Sequence, residues 1–83
     1  MSFFVYIIYS ASLDGYYVGH TADLADRLYR HRNSGSRSTK RAADWQLMYS
    51  EAYPSRSSAS MREREIKRKK SRLYIEQLIN FKK

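Results

Sequence analysis

The stretch VYIIYSASLDGYYVGH, residues 5–20, constrains the fold more than any other part of the chain. Two runs of β-branched and aromatic residues flank a polar SASLDG segment, and Leu13-Asp14-Gly15 supplies turn chemistry between them. The pattern predicts a hairpin of two strands, from Phe3 to Tyr9 and from Tyr16 to His20. If Ser10 faces Gly15 across a four-residue turn, Tyr6 faces Gly19, Tyr17 faces Ile8, and both tyrosines lie diagonally on one sheet face. Gly19 then leaves open space over Tyr6. A slip of one residue would send the tyrosines to opposite faces, and simple packing of two aromatics in a small sheet accounts for such a pair without any chemistry.

Beyond the hairpin, Thr21 suits a helix N-cap, Asp23 and Asp26 fall where negative charge is favoured, and Leu24, Leu28 and His31 keep helical spacing. Asn33-Ser34-Gly35 ends that helix, and the polar, basic segment from Gly35 to Asp44 reads as an exposed loop. WQLMYSEAY, residues 45–53, is a third strand stopped by Pro54. Ser55 or Ser57 can cap a second helix with Ala59, Glu63 and Ile66 on one face, and Ser71 a third with Ile75, Leu78 and Ile79 inward. The expected order is ββαβαα, an α/β fold. Its first strand is central in a three-stranded antiparallel sheet, the connection crosses it right-handedly, and helices flank the sheet.

A chain of 83 residues has room for a single small domain, here residues 1–83, so each apolar stripe should face inward. Cysteine is absent, which excludes disulfides, thiolate zinc sites and cysteine nucleophiles. The run FFVYIIY is too short to span a bilayer and has no basic region before it, so neither a signal peptide nor a membrane anchor is expected, and the default location is cytoplasmic. Sixteen Lys and Arg against eight Asp and Glu give a net charge of +8, which favours a polyanionic partner. Nucleic acid leads over an anionic membrane; a basic surface with no dedicated ligand, or one docking on an acidic protein, fits composition nearly as well.

Arg27 and His31, one helical turn apart, share the side of Leu24 and Leu28, although alone they would read as a solvated pair. Glu63 is more informative, because it follows the apolar stripe of its helix and turns a carboxylate towards the protein. Such a carboxylate needs a partner or a metal, and Lys67 one turn on could be that partner in an ordinary salt bridge. Glu65, one register away, should face solvent.

Tyr6 within FVY, Tyr17-Val18-Gly19 eleven residues later, Arg27 and His31 on the next helix and Glu63 within REREIK resemble the GIY-YIG nuclease superfamily. The similarity is closest to its small stand-alone members, with relatives in homing endonucleases and in the N-terminal domain of the nuclease component of excinuclease ABC. Phe4 and Val5 replace Gly and Ile of the first motif, Val18 replaces Ile of the second, and His20 stands where the excinuclease relatives often carry lysine. The resemblance implies a metal-dependent phosphodiesterase. It makes Tyr6 and Tyr17 the motif tyrosines, Arg27 the catalytic arginine, His31 an active-site histidine and Glu63 the metal-binding glutamate.

The chemistry agrees with that mapping. Phosphodiester hydrolysis needs an activated water, charge stabilisation at the phosphoryl oxygens and help for the departing alkoxide. Tyr6, hydrogen-bonded with Tyr17, is expected to relay or accept the water's proton, with nearby positive charge to let a phenol act near neutrality. Arg27 offers planar, permanently charged donors to phosphate. Glu63 would hold one hard cation, Mg²⁺ or Mn²⁺, with water and phosphate filling the other positions, and no second carboxylate has an evident place beside it. His20, Arg37, Lys40, Arg41, Lys67, Lys69 and Lys70 are the expected nucleic-acid contacts, giving affinity with weak sequence discrimination. The expected activity is an endonuclease on DNA ahead of RNA, and the alternative is a binding module that keeps the fold without turnover. With no targeting domain evident, specificity is expected from dimerisation, an associated protein or substrate shape.

Overall fold

A computed structural model describes residues 2–33 and 39–81. The elements are β1 (Phe3–Ser10), β2 (Gly15–Thr21), α1 (Leu24–Arg32), β3 (Trp45–Tyr53), α2 (Arg56–Arg68) and α3 (Arg72–Phe81), in the expected ββαβαα order. The strands form one antiparallel sheet in the order β2-β1-β3. The hairpin register is Ser10 with Gly15, Tyr6 with Gly19 and Ile8 with Tyr17, so the two tyrosines do share a face. Against β3 the register shifts between Ile7 and Ile8, which pair with Tyr49 and Leu47 and leave Met48 as the extra residue.

β1 is buried on both faces, which explains why its apolar run is continuous rather than alternating. Val5 and Ile7 join Val18, Tyr49, Ala59, Ile66 and Ile79 in a core under α2 and α3. Tyr6 and Ile8 point the other way, into a second cluster with Ala42 and Trp45 that Tyr17, Leu24 and Leu28 of β2 and α1 complete. Both cores are thin, as expected of a domain this small. Among the described residues no helix is long and apolar enough to cross a membrane.

Two local expectations need correction. Asp23, not Thr21, caps α1, its carboxylate accepting from the Asp26 N–H at 3.0 Å. Thr21 cannot do so because β2 runs through it and buries it; its hydroxyl instead accepts from the Asp23 N–H at 3.1 Å. The segment before β3 is not simply an exposed loop either, for Thr39 and Ala42 are buried within it. Trp45 Nε1 donates to the Thr39 carbonyl at 3.0 Å, and Asp44 folds over the β1–β2 turn to accept from Ser10 Oγ at 2.6 Å and the Ser12 N–H at 2.8 Å. These two anchors draw residues 39–44 onto the end of the sheet. Ser55 caps α2 by accepting from the Ser58 N–H, and Ser71 does the same for Tyr74 at the start of α3.

Candidate active site

Gly19 sits at the centre of the site because it has no side chain. It lies opposite Tyr6 in the hairpin, and the Tyr6 ring leans across the space a β-carbon would occupy, with the ring of Tyr17 close beside it. The Tyr6 and Tyr17 centroids are 6.5 Å apart and tilted by 41°. The expected hydrogen bond between the two hydroxyls is not what holds Tyr6. Its hydroxyl pairs with His31 Nε2 at 2.9 Å, and the imidazole sits 5.7 Å from the Tyr6 ring and 5.2 Å from the Tyr17 ring. Diagonal neighbours on a sheet meet through their rings, and the helix above supplies the polar partner.

His31 is therefore no solvated surface residue. It is fully buried on the inner side of α1, its Nδ1 meeting the Thr39 hydroxyl at 2.6 Å. Burial lowers its pKa below the ordinary histidine range, and the nearby Arg27 charge lowers it further. Burial likewise pushes the Tyr6 phenol well above its usual range, helped by Tyr17 and by the negative charge of Glu63, while Arg27 pulls it down. Arg27 Nε is buried with no hydrogen-bond partner among the described residues. An enclosed guanidinium nitrogen without a partner is uncommon, and the same guanidinium is a hydrogen-bond partner of the Tyr6 hydroxyl.

Glu63 reaches the site from the opposite side of the sheet. His20 lies across from Val5 and so faces α2, where its Nδ1 pairs with Glu63 Oε1 at 2.6 Å. Lys67 Nζ takes Oε2 at 2.6 Å while standing 5.6 Å from the centre of the Tyr17 ring, which places it at the β2 edge between the two faces. The carboxylate is turned inward as expected, its side chain 17% exposed, and its partner one turn on is Lys67, the salt bridge that the spacing offered. Burial alone would raise its pKa, but the bonds from Lys67 and His20 outweigh that and keep it below the ordinary carboxylate value. Glu65 points away and pairs with Arg62.

Among the described residues no group of three or more His, Cys, Asp or Glu side chains gathers as a metal cage. A single inward carboxylate, one oxygen held by His20 and the other by the half-exposed Lys67, fits a hard divalent ion that keeps most of its water once the Lys67 oxygen is freed. Glu63 would be its protein ligand.

The expected nucleic-acid residues are dispersed. His20 is spent on Glu63, Lys67 stands at the site, and Lys69 lies 5.3 Å over the Tyr74 ring on the α3 side. Lys70 is exposed with a positive φ of 49° at the α2–α3 corner, and Lys40 and Arg41 are exposed before β3. Arg37 lies outside the described residues. Sequence reasoning missed Thr39 and the pairing of His20 with Glu63. Thr39 is one of several polar residues in a basic stretch and carries no periodic signal; His20 could be placed only once α2 was known to cross β2.

A hairpin that stacks two tyrosines over a glycine, beside an arginine and a histidine from one helix and a glutamate from another, defines a nuclease-type catalytic domain. The sequence model of the GIY-YIG catalytic domain matches residues 2–77, and the chain belongs to that family, whose nucleases act on nucleic acid and generally use a divalent metal. It is similar to a UPF0213 protein from Bacillus halodurans solved by solution NMR, with 31% identity over 99% of this chain and 86% of that one and a TM-score of 0.62. No curated protein matches the chain at a significant level.

Proposed function

We propose that the protein is a divalent-metal-dependent endonuclease that hydrolyses phosphodiester bonds, in DNA ahead of RNA, with weak sequence specificity. The observation that supports this most is the half-buried Arg27 guanidinium beside the Tyr6–His31 pair, its charge pulling the Tyr6 phenol down. Among the described residues no carboxylate forms an ion pair with Arg27, which leaves its charge for a phosphate.

Tyr6 is the proton-handling group, and Arg27 counters the burial that holds its proton. Arg27 also binds a phosphoryl oxygen, and Tyr17 walls the site with its ring. Glu63 would hold a single Mg²⁺ or Mn²⁺, and Lys67 beside it would be available to the phosphate backbone. When bound, the cation supplies positive charge at the phosphoryl oxygens and favours ionisation of water. Lys40 and Arg41 approach the nucleic acid along its backbone, where contacts fix position without reading sequence.

The test is a cleavage assay on duplex, single-stranded and branched substrates, DNA and RNA, with and without Mg²⁺ or Mn²⁺. Metal-dependent cleavage of at least one substrate is expected. Salt-sensitive binding with no cleavage of any would mark the chain as a binding module instead.

A further inference from the structure

The outward face of α2 carries two guanidinium groups that no described residue neutralises. Arg64 and Arg68 are exposed, and neither has a hydrogen bond, ion pair or ring contact among the described residues. All eight Asp and Glu side chains are engaged elsewhere. Six form ion pairs with Arg30, Arg62, Lys67 or Arg72, Asp23 caps α1, and Asp44 accepts from Ser10 and Ser12. Helical spacing brings Glu65 near Arg68, but Glu65 is turned to Arg62 instead.

The two arginines are one turn apart, and Lys67 stands three residues after Arg64 and next to Arg68, so three cations share one patch. Like charges at this spacing repel and weaken a helix. Elsewhere on α2 the cations have partners: Arg62 holds Glu51, Arg56 lies 4.9 Å over the Phe3 ring, and Lys69 lies 5.3 Å over the Tyr74 ring. A face that keeps its repulsion while the rest of the helix relieves it calls for an anion from outside. The patch also begins at the candidate site. Lys67 bonds Glu63 and lies 5.6 Å from the centre of the Tyr17 ring, and Arg64 follows Glu63 ~100° further round the helix, on its exposed side.

We infer that Arg64 and Arg68, with Lys67 leading away from the site, form a track along α2 for the sugar–phosphate backbone of a nucleic-acid strand flanking the phosphodiester at Glu63. What happens at Glu63 rests on the nuclease reading; the track requires only a nucleic acid. A guanidinium fork matches two oxygens of one phosphate, and a strand presents phosphates at regular intervals to successive forks. Contacts of this kind hold a strand in place and carry no sequence information, in keeping with weak specificity.

The experiment measures binding of the full chain, without divalent metal and across a series of salt concentrations, to a short DNA duplex and to phosphatidylserine vesicles. Wild type is compared with Arg64→Gln/Arg68→Gln and with Arg56→Gln/Lys69→Gln, and cleavage by the wild type in Mg²⁺ or Mn²⁺ is read alongside. For the duplex, Arg64→Gln/Arg68→Gln should flatten the slope of log K against log[salt] by about 1 for each arginine, about 2 together. Its denaturant midpoint should equal or exceed that of wild type, since no internal partner is lost and a repulsion is relieved. Arg56→Gln/Lys69→Gln removes the same charge from residues that lie over aromatic rings, and should flatten the slope by less than half as much. Equal flattening by the two variants, an unchanged slope in Arg64→Gln/Arg68→Gln, or its failure to fold stably overturns the inference. So does a loss of vesicle binding with the duplex slope unmoved, which would assign the face to a membrane. Flattening as expected in a chain whose wild type cleaves nothing rejects the nuclease reading and upholds the track; a wild type that binds no duplex overturns both.

Discussion

A β-carbon placed on Gly19 would stand 2.6 Å from the Tyr6 hydroxyl oxygen and 2.8 Å from the ring carbon that bears it. Gly19 does not have a positive φ, so the requirement is for space and not for backbone freedom. Gly19→Ala must therefore push the phenol away from His31. Because the Tyr6 ring is buried and the hairpin register is set by seven paired positions, overpacking should cost roughly 1–3 kcal/mol. Denaturant unfolding and cleavage assays should both register the change. A Gly19→Ala protein with wild-type stability and activity would show that Tyr6 can be repositioned freely.

Tyr6→Phe keeps the ring and removes the group that pairs with His31 Nε2. Cleavage should fall by ~10²-fold or more, with the fold intact. Tyr17→Phe should be milder, because Tyr17 meets Tyr6 and His31 through its ring. Full activity in a folded Tyr6→Phe protein would reduce the tyrosine pair to strand packing.

Glu63 and Glu65 are ~200° apart around α2, and one faces His20 while the other faces Arg62 near solvent. Glu63→Gln keeps the shape but removes the anion, so a Mn²⁺ titration should lose its saturable binding and cleavage should collapse. Nucleic-acid binding without metal should persist, since a repulsive charge is gone. Glu65→Gln should leave cleavage within a few-fold of wild type. Equal losses in the two variants would refute the assignment of Glu63 as the metal ligand.

Acid sensitivity of the fold should centre on Glu51, on the far side of α2. Burial tends to raise its pKa, but Arg62 Nε and Nη2 at 2.8 and 3.1 Å, the Tyr53 hydroxyl at 2.8 Å and the Tyr49 hydroxyl hold it below the ordinary carboxylate value. Burial, with the same contact, pushes the Tyr49 phenol up to about 12. A glutamate with a lowered folded pKa binds fewer protons in the native than in the unfolded state. Its contribution is complete above the unfolded value of about 4.3 and is lost as pH falls through the folded one. Glu51→Gln should lower stability near pH 7 by roughly 1–3 kcal/mol and flatten the acid limb of a stability-against-pH curve. Parallel acid limbs for wild type and variant would contradict this.

The hairpin and the order of elements were determined by the sequence itself, while the shared face of Tyr6 and Tyr17 followed from it only for the register in which Ser10 meets Gly15. Strand and helix periods, turn residues and capping serines act over a few neighbouring residues, and a two-residue strand period permits one register once the turn is set. Tertiary structure decided the rest. It replaced the anticipated Tyr6–Tyr17 bond with Tyr6–His31, brought Thr39 in from a polar loop, and turned His20 to Glu63 from the other face of the sheet. Each of those pairs spans eight or more residues and depends on how a helix or loop docks on the sheet. Such bonds form because a polar group buried by docking must find whatever partner the packing brings within reach, and local sequence holds no record of which one that is.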